Sequence, residues 1–198
     1  MPRILFVSAT AEEAAHLPAD ALVLVTGVGT MNTAVALATH LADLGPERPE
    51  RIVNVGTAGA LRDGLAGVYE IHEVLQHDFS DEFISEMIGH PIPNMRQLLP
   101  VTHLPAARLA TGDAFIHDSV TRERLAERSD LVDMEGYAVA RIGAAFDIPV
   151  TLLKQVSDRA DESAYRTWSA AVDIGAQELA RELVRLDWAR SAAPPAVS

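Results

Sequence analysis

The sequence predicts an α/β fold built on a mostly parallel sheet. Three observations lead there. Apolar runs of strand length recur along the chain, at residues 4–7, 22–25, 52–55, 68–75 and 150–153. Segments with helical spacing alternate with them, the pattern of strand–helix–strand crossovers. Polar residues gather where these runs end, and in an open α/β sheet the carboxyl ends of strands form the ligand crevice.

Taken in order, the first strand (4–7) is followed by AEEAAHL, whose helix formers fit a short helix before the strand at 22–25. Thr26-Gly27-Val28-Gly29-Thr30 opens a helix through Val35, Leu37, Leu41 and Leu44, which Gly45-Pro46 stops. The strand at 52–55 runs into Gly56-Thr57-Ala58-Gly59, read as a glycine-bracketed turn, and 68–75 is a further strand. From 77 to 105 the pattern weakens, because Pro91, Pro93, Pro100 and Pro105 break any helix; so long a connection reads as a lid or interface loop. A short strand at 108–110 precedes Gly112-Asp113, and 119–127 is a helix.

The stretch 131–161, LVDMEGYAVARIGAAFDIPVTLLKQVSDRAD, is the most informative. It reads as strand, helix, strand, with Asp133, Met134 and Glu135 closing the first strand and Ser157 and Asp158 the second. A helix over 164–186 follows. Residues 1–190 read as one domain and SAAPPAVS, at 191–198, as a disordered tail.

Composition narrows the function. With 198 residues, 48% hydrophobic and 22% charged, the chain has the balance of a globular domain. No apolar run reaches the roughly 20 residues of a membrane span, and the start, MPRILFVSAT, lacks the pattern of a cleavable leader. Zero cysteines exclude disulfides and thiolate chemistry and fit a cytoplasmic protein. A net charge of −12 argues against nucleic acid, whose phosphates demand clustered Lys and Arg.

Elimination leaves carboxylates. Three residues after Gly29 stands Asn32, so the dinucleotide fingerprint GxGxxG is absent. No glycine loop ends in the Lys-Ser/Thr of an NTP site, no GxSxG or HExxH occurs, and the seven histidines are scattered, so no metal site is expected. Glu12 and Glu13, Glu135 and Asp158 instead come from three distant segments that end at one sheet edge. Such a set suits glycosidic cleavage: an acid assists the leaving group, a base activates water, and a third carboxylate binds sugar hydroxyls.

Five segments carry a resemblance: SATAEEAAHL, TGVGTMNTA, NVGTAGAL, TGDAFI, and VDMEGYAVA with QVSDRAD. In this order they resemble the purine nucleoside phosphorylase/nucleosidase superfamily, and most closely its hydrolase branch, the 5′-methylthioadenosine/S-adenosylhomocysteine nucleosidases. The resemblance implies a three-layer α/β/α fold with a mixed, mostly parallel sheet, a purine nucleoside substrate, no cofactor, and a homodimer. It also implies roles. Glu13 matches the carboxylate that activates water, and Asp158 the acid at purine N7, with Ser157 beside it. Glu135 matches the residue on the ribose hydroxyls, and Met134 the one under the sugar. Phe115 resembles the aromatic stacked on the base, whose edge the Ile116 backbone would read. Thr57 matches a hydroxyl near the water, and Trp168 an aromatic closing over the base.

Hydrolysis is favoured over phosphorolysis. Asn54 stands, before Thr57, where hexameric phosphorylases of the superfamily carry arginine, and Glu13 would repel a phosphate dianion. Three departures stand out: Lys154 replaces a usual arginine, Asp133 a usual glutamate, and the region between Phe83 and Arg108 is short. The last leaves the 5′ group open, with futalosine hydrolase and a 5′-deoxyadenosine nucleosidase as alternatives beside a phosphorylase or a non-catalytic nucleoside-binding protein.

Overall fold

The computed structural model describes residues 3–188, and over 165–170 the backbone alone. The expected tail lies outside these residues. Eight strands form one mixed sheet: β1 (Ile4–Ser8), β2 (Leu22–Val25), β3 (Arg51–Ala60), β4 (Val68–Gln76), β5 (Met95–Gln97), β6 (Ala106–Thr111), β7 (Leu131–Asp133) and β8 (Val150–Asp158). Five helices complete the order: α1 (Thr30–Asp43), α2 (Asp81–Ile88), α3 (Ser119–Ala126), α4 (Gly136–Ala145) and α5 (Ala164–Arg185). The path β2-β1-β3-β7-β6-β4-β5 is closed by β8, which pairs parallel with β3 and antiparallel with β4. The remaining antiparallel pairs are β3 with β7 and β4 with β5; the rest run parallel.

Side chains alternate across this sheet with the period of two that a strand imposes. On one face Leu5, Val7, Ile52 and Leu152 pack with Leu37 and Leu41 of α1 and Val139 and Ala140 of α4. On the other, Phe6, Val53, Val55 and Leu153 pack with Leu179 and Leu183 of α5. The α/β/α layering is thus dictated by strands buried on both faces.

Three elements differ from the sequence reading. AEEAAHL forms turns, with Ala15 N–H on Glu12 O and Leu17 N–H on Ala14 O; Pro18 follows too soon for a second helical turn. Gly56–Gly59 is no turn but the second half of β3, paired to β8 along its length and to β7 at Gly59. Glycine serves close approach there: a Cβ on Gly56 would stand 3.1 Å from Glu13 Oε1, and one on Gly59 3.1 Å from Asp158 Oδ1. The proline-rich connection contains α2 and β5, the prolines falling after the helix rather than inside it.

Candidate active site

Strand ends deliver four carboxylates, Glu13, Asp133, Glu135 and Asp158, to one cavity of about 700 Å³. That volume is within the ~300–1,000 Å³ of small-molecule sites. Eight of the nine expected residues line it: Glu13, Thr57, Phe115, Ile116, Met134, Glu135, Ser157 and Asp158. Trp168, the ninth, lies on α5 where only the backbone is described, so its side chain is outside the described residues.

Glu13 is 7% exposed and points inward from the turn after β1. Its Oε1 accepts the Thr57 N–H at 2.7 Å and the Thr57 hydroxyl at 2.8 Å, and its Oε2 lies 3.4 Å from the Ser8 hydroxyl. Glu12 beside it is exposed, so only one of the two adjacent glutamates belongs to the cavity. Asp158 ends β8 with both oxygens engaged: the Ala160 N–H donates to Oδ1 at 2.8 Å and the Ser157 hydroxyl to Oδ2 at 2.7 Å. Ala160 reaches that position with φ of 50°, a left-handed backbone that non-glycine residues rarely adopt. Phe115 leaves 41% of its surface open at the cavity, whereas Ile116 is buried.

Glu135 sits at the head of α4, and its Oε1 accepts the Gly29 N–H at 2.8 Å. Burial pushes its carboxyl up to about 7, with Asp133 and Glu13 adding to the rise and Lys154 and the Gly29 amide opposing it. Asp133 is held beneath it by the Thr111 hydroxyl (2.6 Å), the Gly136 N–H (2.8 Å) and Lys154 Nζ (2.8 Å). Burial alone would lower Lys154, but Asp133, Glu135 and Glu13 outweigh it and hold the ammonium above the ordinary lysine value.

One correction concerns charge. Asn54 is not at the cavity: it is 1% exposed inside β3, donating to Val7 O, so it says nothing about phosphate. Lys154, the departure noted in the sequence, pairs with Asp133, and no basic side chain lines the cavity among the described residues. Asp113, which the sequence did not single out, supports the site from outside its lining. It accepts from Thr30 through both backbone N–H (2.6 Å) and hydroxyl (2.7 Å), tying the loop after Gly112 to the start of α1. Thr10 was also missed, accepting the Glu13 N–H through its hydroxyl; hydroxyls just ahead of a glutamate in SATAEE were the available signal. Among the described residues no group of three or more His, Cys, Asp or Glu could hold a metal ion, and no helix is long and apolar enough to cross a membrane.

A layered α/β protein with a carboxylate-lined small-molecule cavity at its strand ends is the class that fold and site define. The chain belongs to the phosphorylase superfamily, whose model matches residues 18–186. It is 26% identical over 163 residues to a 5′-methylthioadenosine/S-adenosylhomocysteine nucleosidase of Shewanella sediminis (strain HAW-EB3), spanning 72% of this chain and 70% of that one. In fold it is similar to the Helicobacter pylori enzyme of the same name (TM-score 0.81, 20% identity, 94% and 97% of the two chains). It is equally similar to a Helicobacter pylori futalosine hydrolase mutant (TM-score 0.80, 20% identity, 94% and 99%).

Proposed function

We propose that the protein hydrolyses the N-glycosidic bond of a purine nucleoside, as a nucleosidase of the 5′-methylthioadenosine/S-adenosylhomocysteine type. The observation that carries this reading is that Glu13 and Asp158, from opposite ends of the chain, line one cavity together with Glu135. In the proposed reaction the C1′–N9 bond breaks and its electron pair goes to the base. Asp158 gives a proton to purine N7, water adds to C1′, and the proton that water loses goes to Glu13. Thr57 and Ser8 fix the Glu13 carboxylate for this task.

Glu135 keeps lone pairs for the ribose hydroxyls beyond the one given to Gly29. An ionised Glu135 carboxylate attracts the ribosyl cation more strongly than the neutral sugar it grows from, which is stabilisation of the transition state over the ground state. Met134 packs under the sugar, Phe115 stacks on the purine, and the Ile116 backbone reads its edge. No cofactor is needed. The charged side chains that line the cavity, Glu13, Asp133, Glu135 and Asp158, are all acidic, which supports water over a phosphate dianion as the attacking group. A homodimer, and a cytoplasmic setting suggested by the cysteine-free composition, belong to the same reading.

The test is incubation with a panel of purine nucleosides, with and without phosphate, followed by chromatography for free base. Phosphate-independent release is expected, falling at least a hundredfold in Glu13→Gln and in Asp158→Asn (the scale of acid–base contributions is ~10²–10⁴). Release that requires phosphate would make the protein a phosphorylase. Tight binding without release would make it a nucleoside-binding protein.

A further inference from the structure

The nucleosidase reading leaves one buried charge without a task. Lys154, on β8, is 1% exposed, and its ammonium lies 2.8 Å from Asp133 Oδ2. Its partner in register on β3 is Gly56, where a Cβ would stand 3.4 Å from Lys154 Nζ and 3.1 Å from Glu13 Oε1. The lysine therefore lies between Asp133 and Glu13, and the charge of Glu135 also acts on it. Asp133 has two further donors in the Thr111 hydroxyl and the Gly136 amide, so its carboxyl group is held in place. The like charges of Asp133, Glu135 and Glu13 oppose one another, and the Lys154 ammonium offsets part of that.

Building on the proposed function, we propose that Lys154 is a positioning residue: anchored by Asp133, it is the counter-cation that lets Glu135 carry negative charge against a ribosyl cation. The groups around it are consistent with that role. Asp133 comes from β7, Glu135 from the head of α4 and Glu13 from the turn after β1, all acting on the same ammonium. Tyr69 is its register partner on β4, and His77, next to Asp133, is held below the usual histidine range by burial. On the opposite face of β8, Glu178 of α5 meets Gln155 and not the lysine.

The two members of the pair make opposite predictions. An opposite charge within about 4–6 Å moves a carboxyl by about 1–3 pH units. Lys154→Met should move the acidic limb of the kcat/KM–pH profile upward by about one unit or more. Asp133→Asn should move it downward, and the double variant should return toward the wild type. A lysine that merely props up the fold would lower the folded fraction and leave the limb in place. Carbon-13 NMR of glutamate carboxyls, with Glu135 assigned through Glu135→Gln, reads the same midpoint without substrate. If no nucleoside is cleaved by the wild type, the nucleosidase reading fails while the NMR midpoints still decide the role of Lys154. If Lys154→Met does not fold, Asp133→Asn and the double variant decide. Folded variants in which the Glu135 midpoint stays put would overturn the proposal.

Discussion

Glu135 is asked to be buried and to be charged, and those demands oppose each other. Its carboxyl titrates near 4.5 when solvated but is pushed up to about 7 in the folded chain. Between these values the folded state holds a proton that the unfolded state has released, so stability falls as pH rises through the window. At about 1.4 kcal/mol per pH unit the full cost at alkaline pH is about 3 kcal/mol. Glu135→Gln keeps the acceptor for Gly29 and removes the titration, so urea unfolding should show a gain of about 1–3 kcal/mol at pH 8 that vanishes near pH 4.5. An equal gain at both pH values would contradict this account. The same variant should release base far more slowly, a trade of activity for stability. Gly59 makes the complementary case. A methyl group there would stand 3.0 Å from Ala160 Cβ and 3.1 Å from Asp158 Oδ1, tighter than ordinary contact. Gly59→Ala should displace the Asp158 carboxylate and cut the rate about tenfold or more, a loss to be read in kcat with circular dichroism unchanged.

The loop between β2 and α1 shows how an element is held by groups far away in sequence. The helix begins after Gly27 (φ 84°) and Gly29 (φ 99°) with no side-chain cap of its own. Its exposed N–H groups are instead taken by two carboxylates, Glu135 on Gly29 and Asp113 on Thr30, which also favour the positive end of the helix dipole. Val28, on this loop, lines the cavity. Asp113→Ala should therefore raise KM several-fold with little change in kcat, and cost about 1 kcal/mol of stability, the usual worth of a lost cap; steady-state kinetics separates the two effects. None of this was legible at 27–30, because the caps arrive from residues 80 or more positions away. What could be read were elements with one period throughout: α1, α4, α5 and the apolar halves of β3 and β8. The polar halves of those strands were misread at Gly56–Gly59 because close approach, rather than a turn, requires the glycines. The helix α2 was hidden behind the prolines, although Asp81 and Glu82 in its first turn and Gly89 (φ 77°) at its end are helix start and stop signals.

On the scale of the molecule, the carboxylates at the cavity come from segments at or just beyond the ends of β1, β7 and β8, and the sheet converts their sequence order into convergence. Lys154 was noticed in the sequence only as a departure; its pairing with Asp133 depends on the register of β3, β7 and β8, which no local pattern encodes. The surface carries a second message. No residue of α2 is buried, and Phe83 (68%) and Met87 (67%) are as exposed as Met31 (72%) on α1. Met31 stands three residues after Val28, which lines the cavity. Exposed apolar side chains such as these are what the proposed homodimer would cover. Sedimentation equilibrium should give a mass near twice the 21.3 kDa of the chain. Phe83→Glu combined with Met87→Glu should halve that mass, because burying two carboxylates in an apolar interface is costly. Neither side chain is part of the monomer core, so the variant should keep the far-ultraviolet spectrum of the parent. If the mass stays dimeric, α2 lies outside the contact, and Met31→Glu becomes the variant that locates it on α1. A parent that sediments as a monomer would remove the homodimer from the functional reading and leave the cavity to be completed by one chain alone.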